Sequence, residues 1–308
     1  MKKIYALFIL SAATVMQLQA QDDLLKMLEN ENPVKPTPVY ATFKSTRVIN
    51  LQSNETMKAK HLDFRIMHRF QPLDVNQDNV YGLYNLFGLD GAVIRLGFDY
   101  GITDKWTIGF GRSTTDKLYD LNTKIKLLEQ TKGSGKTIPV SVNYFGNVGI
   151  ETTEWQDKTI RNYFSSRLSF VNQLVITRKF NDHLSLALVP SFVHYNLVDT
   201  KAQPNDIFAL GIGGSIKISR STRFNFEYIP RLNGRNEPKN SAGNAMYYDA
   251  FAIGFDIETG GHVFQLHFTN ANGLVEQQFI ARNTADMSLK MLRFGFNLSR
   301  TFSFDNKK

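Results

Sequence analysis

From residue 60 onward, apolar and polar residues alternate with a period of two. In "GAVIRLGFDYG" (91–101), Ile94, Leu96, Phe98 and Tyr100 share one side, and Val93, Arg95, Gly97, Asp99 and Gly101 the other. "RFGFNLSRTFSF" (293–304) sets Phe294, Phe296, Leu298, Phe302 and Phe304 against Gly295, Asn297, Ser299, Thr301 and Ser303. "STRFNFEYIPRL" (221–232) sets Phe224, Phe226 and Tyr228 against Arg223, Asn225 and Glu227. Side chains along a strand point alternately to its two faces, so each stretch predicts a strand with one apolar face. Twelve are predicted, at 60–71, 90–101, 105–112, 116–129, 137–150, 163–180, 183–196, 205–219, 221–232, 248–259, 261–271 and 291–304. Most run about 10–15 residues, where soluble strands run about 5–6 and membrane-crossing ones about 9–11.

The links between strands alternate as well. "YGITDKW" (100–106), "KGSGK" (132–136), "FNDHL" (180–184), "SRST" (219–222) and "ETGGH" (258–262) read as tight turns, and longer links fall between them. Short turns at one end and long loops at the other is the pattern of an outer-membrane barrel, with the turns on the periplasmic side. The expected fold is therefore all-β: a single antiparallel transmembrane β-barrel of about twelve strands, with tight periplasmic turns and longer extracellular loops. An even count returns the last strand to the side where the first began. "YATFKSTRVINLQ" (40–52) would make a thirteenth strand, so it reads as a periplasmic, plug or lumen-crossing stretch. Pro190 lies mid-strand without a ladder donor, which predicts a bulge. Arg178, Asn172 and Arg300 fall in phase with the apolar side. An arginine there costs about 2–4 kcal/mol at the bilayer midplane but about 0–1 near the interface, and both arginines sit near turns.

The N-terminus adds a compartment. Met1-Lys2-Lys3, an apolar run from Ile4 to Met16 and Ala20 before Gln21 form the pattern of a cleaved signal peptide. The expected organisation is a signal peptide at 1–20, a periplasmic extension, linker or plug segment at 21–59, the barrel at 60–304 and a polar tail at 305–308. The chain has no cysteine, so disulfides and thiolate metal sites are excluded. Net charge is +8 and mixed along the chain, unlike the concentrated basic stripe of a nucleic-acid binder. No stretch of 18 apolar residues follows the leader, which leaves an exported soluble protein or a membrane barrel. The 24 Phe and 12 Tyr, concentrated on one face of long strands, favour the membrane.

"LDFRIMHRF" (62–70), "LFGLDGAVIRLGFDYGITDKWTIGFGRS" (86–113), "NYFSSRLSF" (162–170), "FAIGFDIETGGHVFQLHFTNA" (251–271) and "FGFNLSRTF" (294–302) together resemble an uncharacterised family of Gram-negative outer-membrane β-barrels, a domain of unknown function. The resemblance implies the barrel and its location in the outer membrane. It brings no assigned activity and no functional residues.

With the apolar rows turned to lipid, the other rows line a lumen. Its candidate residues are Arg65, Arg69, Arg95, Asp99, Lys124, Lys126, Arg167, Lys217, Arg223, Glu227, Arg231 and Arg293, with Lys179, Asp63, Asp120, Asp256 and Glu258 in the same phase. Bases outnumber acids there. One reading is a narrow, porin-like conduit favouring small anionic solutes. The other is a closed scaffold whose lumen charges pair with each other. A third, a lipid-modifying enzyme, needs a serine and a histidine together at the membrane boundary. His68 and His194 lie near loop ends but six strands apart, and no G-x-S-x-G is present. The chain is therefore read as no enzyme, with no cofactor, no metal and no nucleic-acid partner. Its expected partners are outer-membrane lipid, barrel assembly machinery and small solutes.

Two motifs mislead. "TKGSGKT" (131–137) mimics the end of a phosphate-binding loop, but Gln130 replaces its first glycine and strands flank it, so no nucleotide is expected. "DVNQDNVYG" (74–82) starts like a calcium loop but has Asn79 where glycine is needed and Asn85 where glutamate is.

Overall fold

The computed structural model describes residues 36–73, 84, 86–155, 157–234 and 238–305. The predicted signal peptide at 1–20, residues 21–35 and the calcium-like stretch 74–82 lie outside the described residues. The strands are β1 (Thr37–Pro38), β2 (His61–Pro72), β3 (Ala92–Thr103), β4 (Trp106–Ser113), β5 (Tyr119–Leu128), β6 (Thr131–Lys132), β7 (Ser141–Ile150), β8 (Leu168–Lys179), β9 (Leu184–Tyr195), β10 (Asp206–Lys217), β11 (Thr222–Ile229), β12 (Ala250–Thr259), β13 (His262–Thr269) and β14 (Arg293–Ser303). Among the described residues, no helix is long and apolar enough to cross a membrane.

All of these strands except β1 and β6 form a closed antiparallel barrel of twelve strands. Each pairs with its neighbours in sequence, and β14 closes onto β2 through pairs such as Leu298 with Ile66. The predicted alternation is realised. On β3, Leu96 and Phe98 point out while Arg95 and Gly97 are buried inside. On β13, Phe264, Leu266 and Phe268 point out while Gln265, His267 and Thr269 are buried. This exposed apolar belt fits a wall facing hydrocarbon, and a closed wall leaves no unpaired strand edge.

Three details differ from the sequence reading. Pro190 makes no bulge: it stays opposite Leu210 on β10, and pairing with β8 passes unshifted from Gln173–Ser191 to Ile176–Leu188. The missing donor leaves a gap in the ladder without an extra residue, because a wall paired on both sides holds the register above and below it. Register shifts fall instead at Gly101–Thr103, Lys126–Leu128 and Arg293–Gly295. The predicted strand 163–180 begins only at Leu168, after a 3-10 turn at Phe164–Arg167. Finally, "KGSGK" is no simple hairpin turn. Residues 130–139 and 36–39 form a small separate unit in which Thr131–Lys132 pairs antiparallel with Thr37–Pro38. Gly133 and Gly135 take φ of 123° and 93° in its turn, a region that favours glycine, and no helix follows.

Within the barrel unit the lumen is filled. Residues 42–54 form an inserted hairpin, closed by an Arg47–Gln52 bridge and by Val48 N–H donating to Leu51 O at 2.8 Å. Val48, Ile49, Asn50 and Leu51 at its tip are at most 1 % exposed. From the long-loop end, the β13–β14 connection also folds inward. It carries a π-helical turn at Gln277–Ala281, and Leu274, Phe279 and Ile280 are buried.

Candidate functional site

The hairpin is held mainly by side chains of the inward rows. Asp63, Arg65 and Arg69 share a row on β2, because alternate residues of a strand face the same way. Arg69 Nη2 donates to Asn50 Oδ1 at 2.8 Å, and Arg65 Nη2 donates to Thr46 Oγ1 at 2.6 Å and Asp63 Oδ2 at 2.8 Å. From β5, Lys124 Nζ donates to Thr46 O at 2.7 Å and Ser53 O at 3.1 Å. Near the tight-turn end Arg223 Nη1 donates to Thr42 O at 3.0 Å, and Lys44 pairs with Glu258.

Glu227 on β11 makes the most concentrated contact. Its carboxylate accepts the backbone N–H of Ile49 at 3.2 Å, Asn50 at 2.9 Å and Leu51 at 3.0 Å. Three successive amides converging on one anion form a nest, an arrangement suited to negative charge. On the next strand, β10, "GIGG" (211–214) supplies the floor. A side chain on Gly211 would collide with Leu51, and one on Gly213 would touch Val48. These glycines are therefore the seat of the tip.

A second group on β3–β5 is self-contained. Arg95 Nε and Nη2 donate to Asp120 Oδ1 at 2.8 Å and Oδ2 at 2.5 Å, the two-pronged geometry of a strong charged pair. The guanidinium lies over Gly97 and Gly111, where any Cβ would strike it. Asp99 and Lys124, with Arg95, Thr107 and hairpin residues, surround a polar cavity of about 10 Å³, space for one water. Glu55, at the same cavity, is held above the usual carboxylate range by burial, against the opposing pull of the Phe43 N–H and of Lys126.

The two inserted segments meet inside. Glu276 of the long loop pairs with Arg47 Nη1 at 2.7 Å and accepts from Gln52 Nε2 at 2.6 Å. Tyr195 OH donates to Gln277 O at 2.9 Å, tying that loop to β9. Across the lumen from the charged rows lies an apolar cluster missed by the charge-based reading. Phe145, Val171, Val175, Val189, Val193 and Ile207 of β7–β10 pack with Phe43, Val48 and Leu51 of the hairpin and with Phe279 and Ile280 of the loop. Its signal was available in β8 and β9, whose inward rows carry Val171, Val175, Val189 and Val193 among small polar residues where other strands carry charges.

The remaining predicted residues lie toward the ends. Lys126 pairs with Glu129 at 2.8 Å, and Lys217 is half-buried at the last position of β10. Arg293 donates to Phe70 O at 3.3 Å, and Arg231 stacks over Tyr247 with its guanidinium carbon 5.2 Å from the ring. Arg167 belongs to the loop rim: it donates to Glu151 O at 2.9 Å and Thr153 O at 2.6 Å and stacks on Trp155. His68 and His194 stand on opposite sides of the barrel. His68 stacks on Phe296, while His194 engages Asp206 Oδ1 at 2.6 Å and Asn196 Oδ1 at 3.1 Å, so no serine occupies either ring nitrogen of His194. No metal-ligand cluster occurs among the described residues.

Comparison with known proteins adds the family. No curated protein matches the sequence. Similar solved structures include a NanC porin (9% identity, 80% of this chain, 100% of the other, TM-score 0.44). They also include Salmonella typhi OmpF in complex with daunomycin (9%, 79% and 97%, TM-score 0.37) and the TodX monoaromatic hydrocarbon channel (9%, 86% and 94%, TM-score 0.34). The family model described as "Membrane bound beta barrel domain (DUF5777)" matches residues 43–302, and the chain belongs to that family of membrane-bound β-barrels.

Proposed function

We propose that this protein is a plugged barrel of a Gram-negative outer membrane, shut at rest by the hairpin 42–54. It admits small solutes, anionic ones by preference, when the hairpin is displaced. The observation that carries the reading is the hairpin's path. Both its ends lie at the tight-turn side: Tyr40 O accepts from Lys179 Nζ, and Thr56 Oγ1 donates to Asp104 O. The segment can withdraw without threading through the wall. Beside the apolar packing of Phe43, Val48 and Leu51, its attachments are hydrogen bonds and ion pairs to a basic lumen, which the outgoing hairpin would leave exposed to a passing anion. Under the expected topology that side is the periplasm.

A permanently closed scaffold is the second reading, favoured by the apolar cluster that joins hairpin, long loop and wall. Planar-bilayer recordings separate the two. The full chain should be silent, and a variant lacking residues 41–54 should give discrete steps with anion selectivity in a salt gradient. Silence of the deletion variant at high protein load would establish the scaffold. Steady conductance by the full chain would refute closure at rest.

A further inference from the structure

Pro190 lines a cleft of about 300 Å³ in the outer wall, together with Tyr144, Leu174, Phe192, Phe208 and Leu232. That is the small end of the ligand-sized range, about 300–1,000 Å³. The cleft forms because proline is short, its neighbours are bulky, and the β8–β9 ladder is interrupted at this level. It lies on the loop-side half of the wall, with Pro190 five residues from the end of β9. Its rim residues belong to the exposed apolar belt, so it opens onto the same hydrocarbon as the rest of that belt.

One member is out of place. Asn172 also lines the cleft, on a face that meets lipid. Tyr144 OH donates to Asn172 Oδ1 at 2.6 Å, which fixes the amide and turns its N–H₂ group away from the tyrosine. Among the described residues, that Nδ2 meets no protein acceptor. In hydrocarbon a bare N–H₂ is costly, so the site asks for an oxygen acceptor attached to an apolar chain.

We infer that this cleft is a binding site for one acyl chain of a lipid in the loop-side leaflet, with the ester carbonyl at the head of the chain accepting a hydrogen bond from Asn172 Nδ2; a phospholipid serves as the probe. The inference does not depend on whether the lumen conducts.

The test uses the full chain in vesicles of phosphatidylethanolamine and phosphatidylglycerol, doped with a phospholipid carrying a diazirine in one ester-linked acyl chain. After irradiation, labelled peptides are mapped by mass spectrometry. Label should concentrate on β8, β9 and β10 over β12 and β13, whose wall is equally apolar. Asn172→Leu should lower the cleft label about fivefold, the worth of one neutral hydrogen bond. An ether-linked diazirine lipid, which has no ester carbonyl, should label the wild-type cleft correspondingly less. Folding of the variant is read from its migration in unheated gel samples. Even labelling around the wall would overturn the site, as would a cleft signal indifferent to both Asn172→Leu and the ether linkage.

Discussion

Glu227 gives its carboxylate to three backbone amides of the hairpin tip, none of them a side chain. Removing it leaves those amides buried without an acceptor. Glu227→Ala should therefore weaken docking of the tip by about 3 kcal/mol. Amide hydrogen exchange at 47–52 should accelerate while exchange in the barrel strands stays slow, and unchanged protection at 49–51 would refute the latch. Gly211 acts by its lack of a side chain. Gly211→Val drives branched carbon into Leu51 and should cost about 1–3 kcal/mol by overpacking. Gly213→Ala, where contact is ordinary, should be nearly silent in the same thermal unfolding assay. Sequence alone placed Glu227 in the inward row, and both glycines share the phase of Lys217 there, but alternation does not say what they meet. Their partners are far away in the chain, so no local spacing encodes them. Arg167 shows the converse error: its phase pointed inward, yet nearby carbonyls of Glu151 and Thr153 hold it at the rim.

At the scale of the element, each strand answers two solvents. The outward row of β13 carries Phe264, Leu266 and Phe268, and the inward row Gln265, His267 and Thr269. Leu266 lies midway along this outward row. Leu266→Arg should cost about 2–4 kcal/mol in urea unfolding from vesicles, the depth-dependent cost of a cation in the wall. Tolerance of arginine there, at under about 1 kcal/mol, would argue against burial of the row in hydrocarbon. Strands β8 and β9 carry apolar residues on both rows, with Val171, Val175, Val189 and Val193 inside. Valines on the inward row are stable only where that side is dry too, and the hairpin and long loop supply the dry side there. That double pattern was legible in the sequence, but its cause was not.

At the largest scale, the barrel unit is a closed wall around a second, smaller core. Removing residues 41–54 uncovers part of that core while leaving the twelve-strand ladder intact. The deleted chain should still migrate as a folded species in unheated gel samples, yet unfold at a lower temperature than the full chain. Migration as an unfolded chain without heating would mean that the hairpin is needed to build the wall. The number of barrel strands, most of their limits to within a few residues and the split of each into an apolar and a polar row were legible in the sequence alone, because a period of two is a local property. What fills the lumen was decided only in three dimensions. Asn50 meets Glu227 across 177 positions of chain, and Gln52 meets Glu276 across 224. Contacts at that separation come from closing the barrel, which brings opposite walls within reach of one inserted turn.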